Sequence, residues 1–216
     1  MRPATLIDLN FDGLRALETV IASSAYGSIH QAIASLTVFA HPETCKQASN
    51  QNIFLVIRDM PQRGKYTEDQ SPKLMYCDNY SPTAAFCWAH GITKRPKDIQ
   101  FCHIYSESSD YRLYTNLCNI VIIPAFLAKL SDTHKEISEL LQYRSYELYG
   151  FLPEGYSEPK KPNGYDSLKW AEPLAPVRDL QASYRKAMST RIKDRTANSA
   201  RLLGWYFSNF QSDPSL

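Results

Sequence analysis

The stretch DIQFCHIYSESSDYRLYTNLCNIVIIPAFLAKL, residues 98–130, decides how this chain reads. Asp98–Tyr105 is rich in β-branched and aromatic residues and reads as a strand. Ser106–Cys118 is polar and irregular, which predicts a loop, and Asn119–Ile123 (NIVII) predicts a second strand. Pro124 then opens a helical segment, because a fixed φ and a missing N–H suit proline to a first helical turn.

Downstream, Thr133 and Glu136 have the spacing of a capping box that restarts a helix at about His134. Ile137, Leu140, Leu141 and Leu148 lie along that helix, and Gly150 supplies its stop. Upstream, residues 10–23 predict a helix with Leu14, Leu17, Val20 and Ile21 at spacings of three and four, and 28–37 a second with Ser28 as N-cap. Asn52–Arg58 and Leu74–Cys77 predict strands, 61–73 a loop, and Pro82–His90 one or two helical turns. The expected fold class is α+β: a domain over 1–150 with its core at 98–149, a Pro- and Gly-rich linker or surface loop at 151–174, and a basic helical segment at 175–216 that packs on the domain.

Composition excludes several classes. Apolar residues at 44% and charged residues at 21% are those of a globular chain rather than a disordered one. The five cysteines are odd in number and contain no CxxC pair, which argues against a disulfide scaffold or zinc ribbon and for reduced, cytoplasmic thiols. Met1–Asn10 holds Pro3 and Asp8 and does not read as a signal peptide, and the apolar run Ile120–Leu130 is about half of a membrane span, so no membrane role is expected. Signatures of dinucleotide binding, P-loop hydrolysis, serine hydrolysis and zinc proteolysis are absent. The 14 tyrosines suit a protein-interaction surface as well as a core.

The segments FCHIY (101–105) and YTNLCNIVIIP (114–124) resemble the ββα-metal core of the HNH endonuclease family. The resemblance covers about 35 residues and implies a metal-dependent DNA endonuclease. In that reading His103 on the first strand is the general base that activates water, a role suited to a side chain that titrates near neutrality. Asn116 or Asn119 braces the loop, and a divalent metal, Mg²⁺ or Mn²⁺, acts as Lewis acid on the phosphoryl oxygen. Cys102 stands where the family has an acidic ligand, and Ala128 where it has a helix ligand, so the resemblance passes metal ligation to Asp132 and His134. The same two departures motivate the alternative of a non-catalytic nucleic-acid-binding protein on this core. Residue by residue, His103 also reads as a packed histidine with a backbone partner, the asparagines as turn residues, and Asp132 as a helix-start residue.

Net charge is only +2, but 175–205 carries seven basic residues against Asp179 and Asp194. On a helical wheel Leu180, Tyr184, Met188 and Ile192 share one face, while Arg178, Arg185, Lys186 and Lys193 share the other. Arg191 and Arg195 fall on the apolar side, where arginines need an anion or acidic partner. This basic face reads either as a solvated helix surface or as a phosphate-tracking one, which makes DNA the expected partner and a homodimer compatible.

Overall fold

The computed structural model describes residues 12–69 and 71–190. In chain order the elements are α1 (Gly13–Ala22), α2 (Ile29–Leu36), β1 (Val38–Phe39), α3 (Pro42–Gln47), β2 (Val56–Arg58), β3 (Met75–Cys77), α4 (Tyr80–Ala89), β4 (Ile99–His103), α5 (Tyr111–Tyr114), β5 (Ile120–Pro124), α6 (Ala125–Ala128), α7 (Leu130–Thr133), α8 (Lys135–Tyr149) and α9 (Leu180–Thr190). The fold is α+β. An antiparallel sheet in the order β1-β5-β4 forms the centre, and β2 and β3 make a separate parallel pair.

β5 runs down the middle of that sheet, with Val121 opposite both Phe39 and Cys102, and Ile120 opposite His103. Successive side chains of a strand point to opposite faces, and here both faces are covered. Ile120 and Ile122 join Phe101, α4 and α9 in one apolar cluster, while Val121 and Ile123 join Leu127 and the Ile137, Leu140 and Leu141 stripe of α8 in the other. That is why NIVII is apolar without alternation. Each such buried side chain contributes roughly 1.5–3 kcal/mol.

The N-terminal helices start where their caps do: Asp12 accepts from the Arg15 amide and Ser28 from the Gln31 amide. The apolar stripe of α1 is narrower than the spacing predicts, since Ile21 is buried and Val20 is 68% exposed. α4 is longer than its predicted one or two turns. Every residue from Ser81 to Ala89 is buried, so the helix has no polar face and therefore no periodicity to read.

Three expectations change. The capping box at Thr133 and Glu136 does not form: Thr133 ends α7, its hydroxyl donates to the Lys129 carbonyl, and His134 takes the cap position in extended backbone. The expected strand from Asn52 shortens to β2, because Ile53 and Phe54 donate their amides to Thr115 Oγ1 instead of to a neighbouring strand. The 151–174 segment is not a free linker. It is a strap laid over the core, with Tyr165 buried, Trp170 edge-on to Phe39 at 5.9 Å, and the Ala171 and Leu174 amides bonded to the Ala34 and Phe39 carbonyls. Gly150, at φ 60°, makes the turn from α8 into that strap.

α9 packs against α4 through Leu180, Tyr184 and Met188, all buried, while Arg178, Arg185 and Lys186 are exposed. Ile192, Arg191, Lys193 and Arg195 lie outside the described residues. Among the described residues no helix is long and apolar enough to cross a membrane.

Candidate functional site

His103 ends β4 and is half-buried. Its Nε2 lies 2.9 Å from the Tyr114 carbonyl, and its ring rests on the Tyr114 ring at 5.4 Å. A carbonyl only accepts, so this contact assigns the proton to Nε2 and leaves Nδ1 as the lone-pair nitrogen. Burial holds the His103 pKa below the usual histidine value. The Tyr114 carbonyl and Asp132 pull it back up, and Arg58 pushes it down. The imidazole is thus neutral at neutral pH and its Nδ1 can accept a proton.

The 104–119 loop behind it is pinned by the two asparagines. Asn119 is fully buried: its Oδ1 accepts from the Tyr105 amide at 2.7 Å, and its Nδ2 donates to the Tyr105 and Leu113 carbonyls. Asn116 accepts from the Cys118 amide and donates to the Asn50 carbonyl at 2.7 Å, which ties the loop to the turn after α3. Arg112 adds an ion-paired fork to Asp110 and reaches Glu154 at the base of the strap. Neither asparagine lines the space in front of His103. Both position the loop that carries the Tyr114 carbonyl.

That space is an open cavity of about 470 Å³ between the end of β2, the N-terminal turn of α4, β4 and the α6–α7 junction. Arg58, Arg95 and Lys129 line it with His103, Cys102 and Asp132. Asn79, Thr83, Ser106 and Ser108 add polar groups to its wall. Arg58 and Arg95 have no carboxylate partner among the described residues, and Lys129 meets Asp132 at 3.5 Å in an exposed pair. Exposed pairs of that kind are worth little, so the lysine is available to a ligand. A larger groove of about 790 Å³ runs between α8 and 156–163, where Glu136, Glu139 and Glu158 are mixed with Lys160 and Lys161.

The chain matches no family model, no curated protein and no solved structure.

The residues present do not fit a divalent metal in the His103 cavity. Among the described residues no group of three or more His, Cys, Asp or Glu side chains is placed to hold one. Asp132 is the cavity's single carboxylate and is shared with Lys129. Burial pushes the Cys102 thiol up to about 11, so it is protonated and a poor ligand, and Ala128, beside it in the wall, has no side-chain donor. His134 does not line this cavity. Its Nδ1 donates to Thr133 Oγ1 at 2.9 Å, since that hydroxyl already donates to Lys129.

Arg58, Arg95 and Lys129 were not singled out by the sequence. The available signal was the run Lys94, Arg95, Pro96, Lys97 just before β4, all of it exposed.

His103 also sets a pH dependence of stability, together with His90. The Nδ1 of His90 bonds the Phe86 carbonyl, and its Nε2 is buried without a partner. Burial holds both pKa values below the usual 6.5. The unfolded chain takes up protons at about that pH while the folded one does not, so stability is full above it and falls as pH drops below it. Thermal melts are expected to be level from about pH 8 to 7 and to decline below about 6.5, with a shallower decline in His90→Gln. Equal slopes in wild type and variant would show that His90 is not a contributor.

Proposed function

We propose that the protein binds nucleic acid through its phosphate backbone, seating a phosphodiester in the His103 cavity on a ββα-like core. The observation that carries this reading is the convergence of Arg58, Arg95 and Lys129 on one cavity with a neutral, oriented histidine. Two of these cations lack carboxylate partners among the described residues, which suits them to an anionic ligand. The element order β4, braced loop, β5, α6 supports the resemblance to the HNH family, as does the position of Asn119 at the loop's end. The exposed Arg178, Arg185 and Lys186 of the C-terminal segment extend the positive surface available to a polyanion.

Hydrolysis is the second reading, and one observation favours it. The Tyr114 carbonyl commits Nε2, so Nδ1 is left as the base nitrogen of a histidine that lines the cavity. One set of assays separates the two. Binding of a labelled DNA duplex is expected to weaken about 40-fold between roughly 50 and 200 mM salt if the three cavity cations make phosphate contacts. A salt-independent signal would remove the nucleic-acid reading. Plasmid nicking, tried with Mg²⁺, with Mn²⁺ and without either, tests catalysis. Nicking that His103→Ala lowers by about 10²–10⁴ would make the protein an endonuclease. Salt-sensitive binding without nicking leaves it a binding protein.

A further inference from the structure

We infer that the His103 cavity is a metal-independent phosphoryl site, in which Arg58, Arg95 and Lys129 supply the positive charge that a divalent cation supplies in HNH enzymes. This deepens the proposed function and rests on it only for the nucleic acid to which the phosphoryl group belongs. The three cations come from separate elements, the end of β2, the turn before β4 and the α6–α7 junction, so together they surround a ligand rather than form a stripe on one helix. Guanidinium groups donate in a planar fork that matches two phosphoryl oxygens, and an ammonium adds a point charge. Among the described residues Arg58 and Arg95 have no ion pair to break, and Lys129 gives up only an exposed one. Ser106 and Ser108 also line the cavity, where further oxygens of the ligand need donors.

Space and charge agree on the ligand class. A cavity of about 470 Å³ exceeds what a lone inorganic phosphate fills and lies within the range of pockets for nucleotide-sized ligands. Asp132 is the one carboxylate against three cations, so the cavity is net positive before any ligand arrives. A bound divalent cation would have to sit among three like charges with Asp132 as its single anionic ligand. A phosphoryl group meets three opposite ones.

The test uses the full chain in excess EDTA. A short labelled oligonucleotide is titrated by fluorescence anisotropy, and inorganic phosphate alone is added as competitor. Wild type is expected to bind the oligonucleotide with the same affinity in EDTA as in Mg²⁺, and phosphate is expected to displace it. Arg58→Gln and Arg95→Gln, both at exposed positions and each checked for a wild-type melting curve, are each expected to weaken binding about tenfold or more. Oligonucleotide binding that appears only with Mg²⁺ overturns the inference and leaves the nucleic-acid reading standing. Phosphate bound in EDTA with no oligonucleotide bound, followed by calorimetry, keeps the inference and ends that reading. Arginine variants that bind like wild type, or no binding of either ligand in EDTA, overturn the inference.

Discussion

Asn119→Ala is expected to destabilise the fold by roughly 2–4 kcal/mol, because it strands one buried backbone amide and removes two further buried hydrogen bonds. The Tyr105 amide loses its acceptor, while the Tyr105 and Leu113 carbonyls lose the Nδ2 donor but keep the Glu107 and Asn116 amides. Each group left unpaired away from water costs about 1–3 kcal/mol, and residue 119 is fully buried, so no solvent is at hand to replace the amide. For a chain of this size that corresponds to a melting temperature lower by roughly 4–16 °C. Asn119→Asp isolates the hydrogen-bond account from simple loss of volume. It keeps the acceptor for the Tyr105 amide but faces two carbonyls with a carboxylate. Its destabilisation relative to wild type is therefore expected to ease as pH falls and the carboxyl regains a proton. An alanine variant within about 1 kcal/mol of wild type, or an aspartate variant with no such pH trend, would show that the loop is held by packing alone.

The effect reaches the site. The loop between β4 and β5 carries the Tyr114 carbonyl that commits Nε2 of His103. Loosening the brace frees the imidazole to turn, so binding or cleavage should fall further than His103 burial alone predicts. In this sense Asn119 and Asn116 are positioning residues.

Part of this was legible in the sequence, and the reasons are local. β4 and β5 announce themselves because β-branched and aromatic residues are concentrated in short runs with polar ends. Ser28 and Gly150 mark helix ends because a cap and a left-handed stop act within a few residues. What the chain hides is convergence. Arg58, Arg95 and Lys129 are far apart in sequence and meet only because β2 and β4 flank the start of α4. The same holds for the strap at 151–174, whose Pro, Gly and charge read as exposed loop although Trp170 packs on β1, Lys169 bonds α2 and Tyr165 bonds α8. α4 escaped for the opposite reason: a helix enclosed on all sides has no polar face to set its period. The T-x-x-E pattern at Thr133 misled because the preceding turn, α7, had already claimed the threonine hydroxyl.

Tyr184→Ala is the second large effect, at roughly 3–5 kcal/mol, and it decides whether the C-terminal helix is an appendage or part of the domain. Tyr184 is fully buried between α4 and the Phe54 ring, which it meets edge-on at 5.9 Å, and its hydroxyl donates to the Ala85 carbonyl at 2.7 Å. Truncating a buried aromatic side chain costs the lost transfer free energy plus the cavity left behind. Tyr184→Phe keeps the ring and removes only the hydroxyl. It should cost about 1 kcal/mol, since the Ala85 carbonyl lies inside α4 and retains its helical partner. Ala182 is exposed on the same helix, and Ala182→Gln should stay within about 0.5 kcal/mol. Urea denaturation of the three variants gives the order directly. A Tyr184→Ala variant as stable as the Ala182→Gln one would mean that α9 docks without supporting the core. If the expected order holds, Arg185 and Lys186 ride on a helix fixed to α4, with Arg178 just before it, and the N-terminal turn of α4 also forms a wall of the His103 cavity. The basic surface and the proposed phosphoryl site are then carried by one packed unit, and a substitution under α9 would weaken the proposed nucleic-acid binding through the fold without touching a phosphate.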